Sequence, residues 1–262
     1  GPMTRNVLDC AKILNVLTGY DPKDEYTFVS VINGKKDYVK SIEDVNFKNC
    51  KIGILRSSFG SDDDANCKPV NEVVNSYLSE LKDHGANFVD VDIEGVYDLI
   101  VESSMYTEHS KYDMNNFLKS RKNIPYDDIS TIVTEKKYHE CLDLLEVINK
   151  ESPEDPYSVP EYYKKYKSRE TFQKLIVNAM AKNDVDFLVY PTSKVIVPLI
   201  QEVDEGKWPT LTFPTNTYIG AQTWLPALSI PAGFADGNIP VGLEILGISY
   251  SEDKLLSVAY AF

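Results

Sequence analysis

The sequence predicts an α/β fold containing a parallel strand pair, and three observations carry that expectation. First, Lys51–Leu55 and Asn87–Val91 read as short strands on either side of a helical stretch. A strand, a helix and a second strand at this spacing form a crossover unit, which pairs its strands in parallel. Second, Asp186-Phe187-Leu188-Val189-Tyr190 is a short apolar run with no alternation, as a strand buried on both faces requires. Third, Leu228–Ile230 and Val241–Gly247 read as two more strands, joined by the turn-rich run Pro231–Asn238.

Each element has a local cause. Thr4 to Leu17 places Val7, Leu8, Ala11, Leu14 and Leu17 at helical spacing, with Thr4 as N-cap, and Gly19 and Asp21-Pro22 end the helix. Residues 20–48 read as loop with short irregular pieces. Between the first two strands Val70, Val73, Val74, Tyr77, Leu78 and Leu81 share one helix face, and His84-Gly85 closes it. Residues 96–119 and 136–149 read as helices, and Pro160 opens a long helix through Lys182. Gly206, Pro209 and Pro214 make residues 205–216 mostly loop. Ser251 caps a last helix carrying Leu255, Leu256, Val258 and Ala259. No repeat, low-complexity segment or linker divides the chain, so residues 1–262 read as a single α/β domain or part of one.

Composition narrows the function. The 262 residues carry 27 basic and 40 acidic side chains, a net charge of −13. That excludes a basic nucleic-acid footprint. No apolar run approaches the ~18 residues needed to span a bilayer, and no signal peptide is expected from Gly1-Pro2-Met3-Thr4-Arg5, which has no apolar core. The four cysteines, at 10, 50, 67 and 141, form no metal-type or dense disulfide pattern, so the expected compartment is the cytoplasm.

Several fragments imitate chemistry. Asp62, Asp64 and Asn66 start like a calcium loop, but Cys67 and Val73 stand where glycine and glutamate are needed. The acidic turn instead suits the positive end of the following helix. Ser251 and Lys254 have the S-x-x-K spacing, which a helix cap explains better. Cys141 and His139 fall on different faces of an expected helix, so Cys141 reads as a buried structural thiol. There is no glycine-rich phosphate loop and no G-x-S-x-G. Taken alone, the chain contains no assembled nucleophile, base and oxyanion loop.

The two ends of the chain resemble a known family. Asp184–Tyr190 followed by Pro191-Thr192, then Leu225-Pro226-Ala227-Leu228-Ser229-Ile230-Pro231-Ala232-Gly233-Phe234, Gly237–Gly247 and the Glu252–Phe262 helix resemble successive blocks of the amidase signature family. Gly1-Pro2-Met3-Thr4-Arg5, Asp9, Ala11 and Gly19-Tyr20-Asp21-Pro22 are similar to an earlier segment of it, with Asn6 departing. Thr210–Trp224 looks closer to the broad amidases of bacteria and fungi than to the A-type subunits of amidotransferases.

The resemblance implies the C-terminal part of an α/β/α sandwich with a mixed sheet flanked by helices. Members hydrolyse amides with a Ser–cis-Ser–Lys triad and a glycine-rich oxyanion loop, and in family order these precede the Gly-Pro-Met segment. No residue of this sequence inherits those roles. The resemblance therefore implies the C-terminal portion of an amide hydrolase, inactive alone, needing no metal or organic cofactor. Residues expected to contribute to the acyl-binding pocket are Thr215, Tyr218, Ile219, Gln222 and Trp224; the plainer alternative, in which Ile219 and Trp224 are core residues and Gln222 satisfies a backbone group, is the favoured one. Expected partners are a small-molecule amide, the missing N-terminal half or a second copy, with no nucleic acid and no membrane. Unpaired strand edges and uncovered apolar faces would favour self-association. The alternatives are a non-catalytic amidase-fold protein with a binding or regulatory role, or an A-type amidotransferase component.

Overall fold

A computed structural model describes residues 1–262, with every side chain except that of Asp143. In chain order the elements are α1 (Val7–Leu17), α2 (Val29–Asn33), β1 (Lys51–Leu55), α3 (Lys68–Asp83) and β2 (Asn87–Val91). There follow α4 (Val96–Ser103), α5 (Tyr106–Lys119), α6 (Ile129–Thr134), α7 (Asp143–Glu151), α8 (Pro160–Asn183) and β3 (Phe187–Pro191). The chain ends with α9 (Ile200–Asp204), α10 (Tyr218–Thr223), β4 (Ala227–Ala235), β5 (Ile239–Leu246) and α11 (Glu252–Ala261). It divides into two compact units. One comprises Gly1–Glu94, Gln173–Ile196 and Thr215–Phe262, the other Gly95–Phe172 and Val197–Pro214.

The first unit holds a five-stranded mixed sheet in the order β2-β1-β3-β5-β4. β1 runs parallel to both β2 and β3, as the strand–helix–strand spacing requires, while β3–β5 and β5–β4 are antiparallel. All five residues of β3 are buried, which is why that run shows no alternation. α3 lays Val70, Val74, Leu78 and Leu81 inward at spacings of three and four, and α11 buries Leu255, Leu256, Val258 and Ala259. Both helices pack against β4 and β5. A Cβ on Gly53 would stand 2.8 Å from Leu188 Cδ2 and from Val91 Cγ2, so β1 packs this tightly only because that residue is glycine.

Local corrections have clear causes. The N-cap of α1 is Asn6, not Thr4: its side chain accepts from the Asp9 amide at 2.8 Å, while the Thr4 hydroxyl donates to Asn6 O. Ser251 occupies the N-cap position of α11, but its hydroxyl donates backward to Ile248 O at 2.6 Å instead of capping. Most of the expected 231–238 turn is strand. β4 runs through Pro231 to Ala235, with a register shift between Pro231 and Gly233, and the turn is confined to Asp236-Gly237-Asn238. Pro231 is tolerated because β4 is an edge strand, and Asp236 and Gly237 both adopt positive φ, as tight hairpin turns demand.

The second unit is helical. The expected 96–119 helix is two helices, α4 and α5, interrupted at Ser104-Met105, and the expected 136–149 helix begins only at Asp143. Ile129, Leu144 and Ile148 form its core between α6 and α7. The ion pairs Lys111–Glu154 and Lys165–Glu108, whose lysines are largely withdrawn from solvent, tie its segments together. Cys141 is half-buried in a turn, not buried on a helix. Its amide donates to His139 Nδ1 at 3.2 Å, and its thiol lies 3.4 Å from Asp204 Oδ1. His139 is engaged through Nδ1 with the Cys141 backbone, and the thiol instead contacts the Asp204 carboxylate. No helix among the described residues is long and apolar enough to cross a membrane.

Candidate functional site

In open α/β sheets ligands gather outside the carboxyl ends of the parallel strands. Here β1 and β3 end side by side, with Ile54 opposite Val189. The segment from Thr215 to α10 closes over those ends, held by Asn216. Only 2% exposed, Asn216 donates its backbone N–H to Thr192 O at 2.9 Å. Its side-chain amide donates to Ser58 O at 2.8 Å and to Pro191 O at 2.7 Å. Three chain segments are thus fixed by one residue.

Around that clamp lies a row of hydroxyls. Thr192 Oγ1 and Ser229 Oγ are 2.6 Å apart. Thr215 Oγ1 donates to Thr192 O at 3.2 Å and lies 3.1 Å from Thr217 Oγ1. Gly242 makes the approach possible: a Cβ there would meet both Ser229 Oγ and Thr192 Oγ1 at 2.8 Å. Among the described residues the hydrogen-bond partners of the Thr192, Thr215 and Ser229 side chains are one another, Thr217 and the Thr192 carbonyl.

Glu244 on β5 shares a sheet face with its register partners Tyr190 on β3 and Ser229 on β4. It is 3% exposed, and the Tyr190 hydroxyl donates to Oε1 at 3.3 Å. Burial pushes the Glu244 carboxyl up to about 7, against a smaller lowering by the Tyr190 hydrogen bond. Burial, and then the neighbouring carboxylate, pushes the Tyr190 hydroxyl well above its ordinary value. Glu244 forms part of the wall of an open groove of about 620 Å³, along with Arg5, Asn6, Thr217, Ser229 and Ile230.

The expected site residues fall into two groups. Thr215 belongs to the hydroxyl row, and its backbone bridges to Ser193. Tyr218 opens α10 and is half-buried. Ile219 is wholly buried and Gln222 is buried, so these two face inward. Trp224 is 45% exposed and ends α10 in a left-handed conformation, φ 56°, so it is not a core residue. Sequence reasoning missed Asn216 and Thr192, whose roles depend on contacts 25 and 37 positions away. It met Glu244 within a strand and within the family block at Gly237–Gly247, with no role attached.

The sheet order and its flanking helices define an α/β protein with a mixed five-stranded sheet. The Amidase family model matches residues 1–256, and the chain belongs to that family. It is 29% identical to the A-type subunit of glutamyl-tRNA(Gln) amidotransferase from Thermoanaerobacter pseudethanolicus, an alignment covering 100% of this chain and 53% of that protein. Among solved structures it resembles the peptide amidase of Stenotrophomonas maltophilia, with 25% identity and a TM-score of 0.76, covering 100% of this chain and 52% of that one. A peptide amidase bound to the competitive inhibitor chymostatin gives 25% identity and a TM-score of 0.77, with the same coverage. The chain spans about half the length of the relatives it matches.

Proposed function

We propose that this chain is the C-terminal portion of an amidase-family hydrolase that cleaves carboxamide C–N bonds through a serine acyl-enzyme. The observation that carries the reading is the family match over residues 1–256 in a chain half as long as its relatives. On this reading the triad and oxyanion loop belong to a preceding segment, and the chain is inactive alone. The present half supplies the end of the sheet, the clamp at Asn216 and a share of the substrate pocket. Thr215 contributes through its hydroxyl and Trp224 through its exposed indole, with Tyr218 at its rim and Ile219 and Gln222 supporting from behind. The outer edge of β4 offers a place for the preceding segment to add a strand, because its backbone pairs only with β5 among the described residues. Metal ions and organic cofactors are not called for, and the protein works in the cytoplasm on a small amide.

The test is to express the longer protein that contains this sequence and the 262-residue chain in parallel. Each is assayed for ammonia or amine release from a panel of carboxamides and for labelling by a serine-directed probe. Activity and labelling in the longer protein alone support the reading; labelling of the isolated chain, or a longer protein that cleaves no amide, overturns it. A second reading, an A-type amidotransferase component, is favoured by the names of the curated relatives. Glutamine hydrolysis that depends on co-purifying subunits would select it.

A further inference from the structure

We infer that Gln173 is a positioning residue for the substrate pocket: from α8 it locks the end of α10 and so fixes the direction of the Trp224 indole. For the role of that pocket, and only for that, the inference rests on the amide-cleaving reading. Trp224 follows α10 with φ 56°, in the left-handed region. Helices commonly end on such a residue, but it is usually glycine, because a Cβ crowds the following carbonyl. A tryptophan in this conformation needs something to hold it. The chain on either side is pinned through its carbonyls. Gln173 Nε2 donates to Thr223 O at 2.8 Å, and the Gly247 amide donates to Pro226 O at 2.9 Å. The wholly buried Thr223 also donates its hydroxyl to Ile219 O at 2.5 Å, which tightens the last turn.

Gln173 is placed to do this by its own helix. α8 buries Phe172 and Ile176 completely, so the glutamine between them is presented from a fixed backbone. The body of α10 is fixed independently. Ile219 and Gln222 are buried, and a Cβ on Gly220 would stand 2.9 Å from Ala227 Cβ and 3.3 Å from Leu225 O, so the helix lies flush on the start of β4. What remains able to turn is the pair Thr223-Trp224, and the Gln173 amide acts there. Every one of these contacts lies within the chain and stays the same whatever packs outside it. Leucine at position 173 keeps much of the volume and removes the donor. Thr223 O then loses that hydrogen bond, and Trp224 relieves its strain by rotating out of the left-handed region. The indole swings with the backbone, and the 215–224 segment loses its shape as a pocket wall. An amide is then held less well, while the reacting serine of the preceding segment is untouched. The loss therefore falls on KM and not on kcat.

The test labels the 262-residue chain, and the longer protein that contains it, with fluorotryptophan for fluorine NMR; the Trp224 signal is the one missing from Trp224→Phe. Wild type should give one sharp Trp224 signal, and Gln173→Leu a broadened or doubled one. Gln173→Glu restores a donor only while its carboxyl is protonated. Its Trp224 signal should therefore sharpen at about pH 4 and broaden at about pH 8, read against wild type at the same pH. Because that change occurs within one variant, it holds even where Gln173→Leu fails to fold. In the longer protein Gln173→Leu should raise KM for carboxamides about fivefold or more and change kcat less than about twofold. Labelling by the serine-directed probe should be unchanged. An unaltered Trp224 signal in Gln173→Leu, a Gln173→Glu signal that follows wild type at both pH values, or a fall in kcat at constant KM would overturn the proposal. A longer protein that cleaves no amide refutes only the proposed function, because the hold of Gln173 on Trp224 is read from the signal without substrate.

Discussion

Replacing Glu244 by glutamine separates charge from shape. Glutamine keeps the volume and still accepts from the Tyr190 hydroxyl, but it cannot ionise. The wild-type carboxyl is raised from an ordinary value of 4.5 to about 7 by burial. A native-state value above the unfolded one means that the folded protein binds the extra proton. The stability contribution is therefore whole below pH 4.5 and is lost as pH climbs through 7. At roughly 1.36 kcal/mol per pH unit, complete loss amounts to about 3 kcal/mol, to be read as an order of magnitude. Other carboxylates here move the opposite way, Asp37 and Asp253 among them, so only the difference between wild type and variant is informative. The assay is urea denaturation of both proteins at half-unit steps from pH 4 to 8. The variant should gain on wild type steadily from pH 4.5 and lead by about 3 kcal/mol at pH 8. Parallel stability curves across that range would refute the burial argument.

Other expectations follow from the same geometry. Asn216→Ala leaves Ser58 O and Pro191 O without their buried donor, and should cost about 2–4 kcal/mol in chemical denaturation; a loss under half that would mean water replaces the clamp. Gly242→Ala forces a methyl against the Thr192 and Ser229 hydroxyls and should cost ~1–3 kcal/mol, read as a fall in Tm. Gly237→Ala, at φ 84° in the β4–β5 turn, should cost ~1–2 kcal/mol with little change elsewhere in the amide spectrum. Lys36→Ala removes the pair with Asp253 near the protein surface, and a change larger than about 1 kcal/mol would be unexpected.

Much of the architecture was written in local pattern. The strands at 51–55 and 87–91 and the α3 face are set by side-chain period and by turn residues within a few positions. Those signals survive in any surroundings because they act over one or two turns of chain. The family blocks at both ends were likewise legible, being runs of adjacent residues. Boundaries that depend on competition were not. Thr4 and Asn6 are both good caps, and only the path of the chain gives the Asp9 amide to Asn6. Proline and glycine at 231–237 signal a turn, yet pairing with β5 carries β4 through to Ala235 because an edge strand can forgo one donor. The candidate site lay furthest from view. Asn216 is one polar letter in a loop until the turn after β1, at Ser58, and the end of β3, at Pro191, meet its amide. Glu244 reads as a charged residue in an apolar strand and as one position of a family block, with nothing local to say that it is buried. Only the sheet, by placing it between Tyr190 and Ser229 and removing water, turns it into a carboxyl poised near neutrality, because desolvation is a property of everything packed around a group and not of its neighbours in sequence.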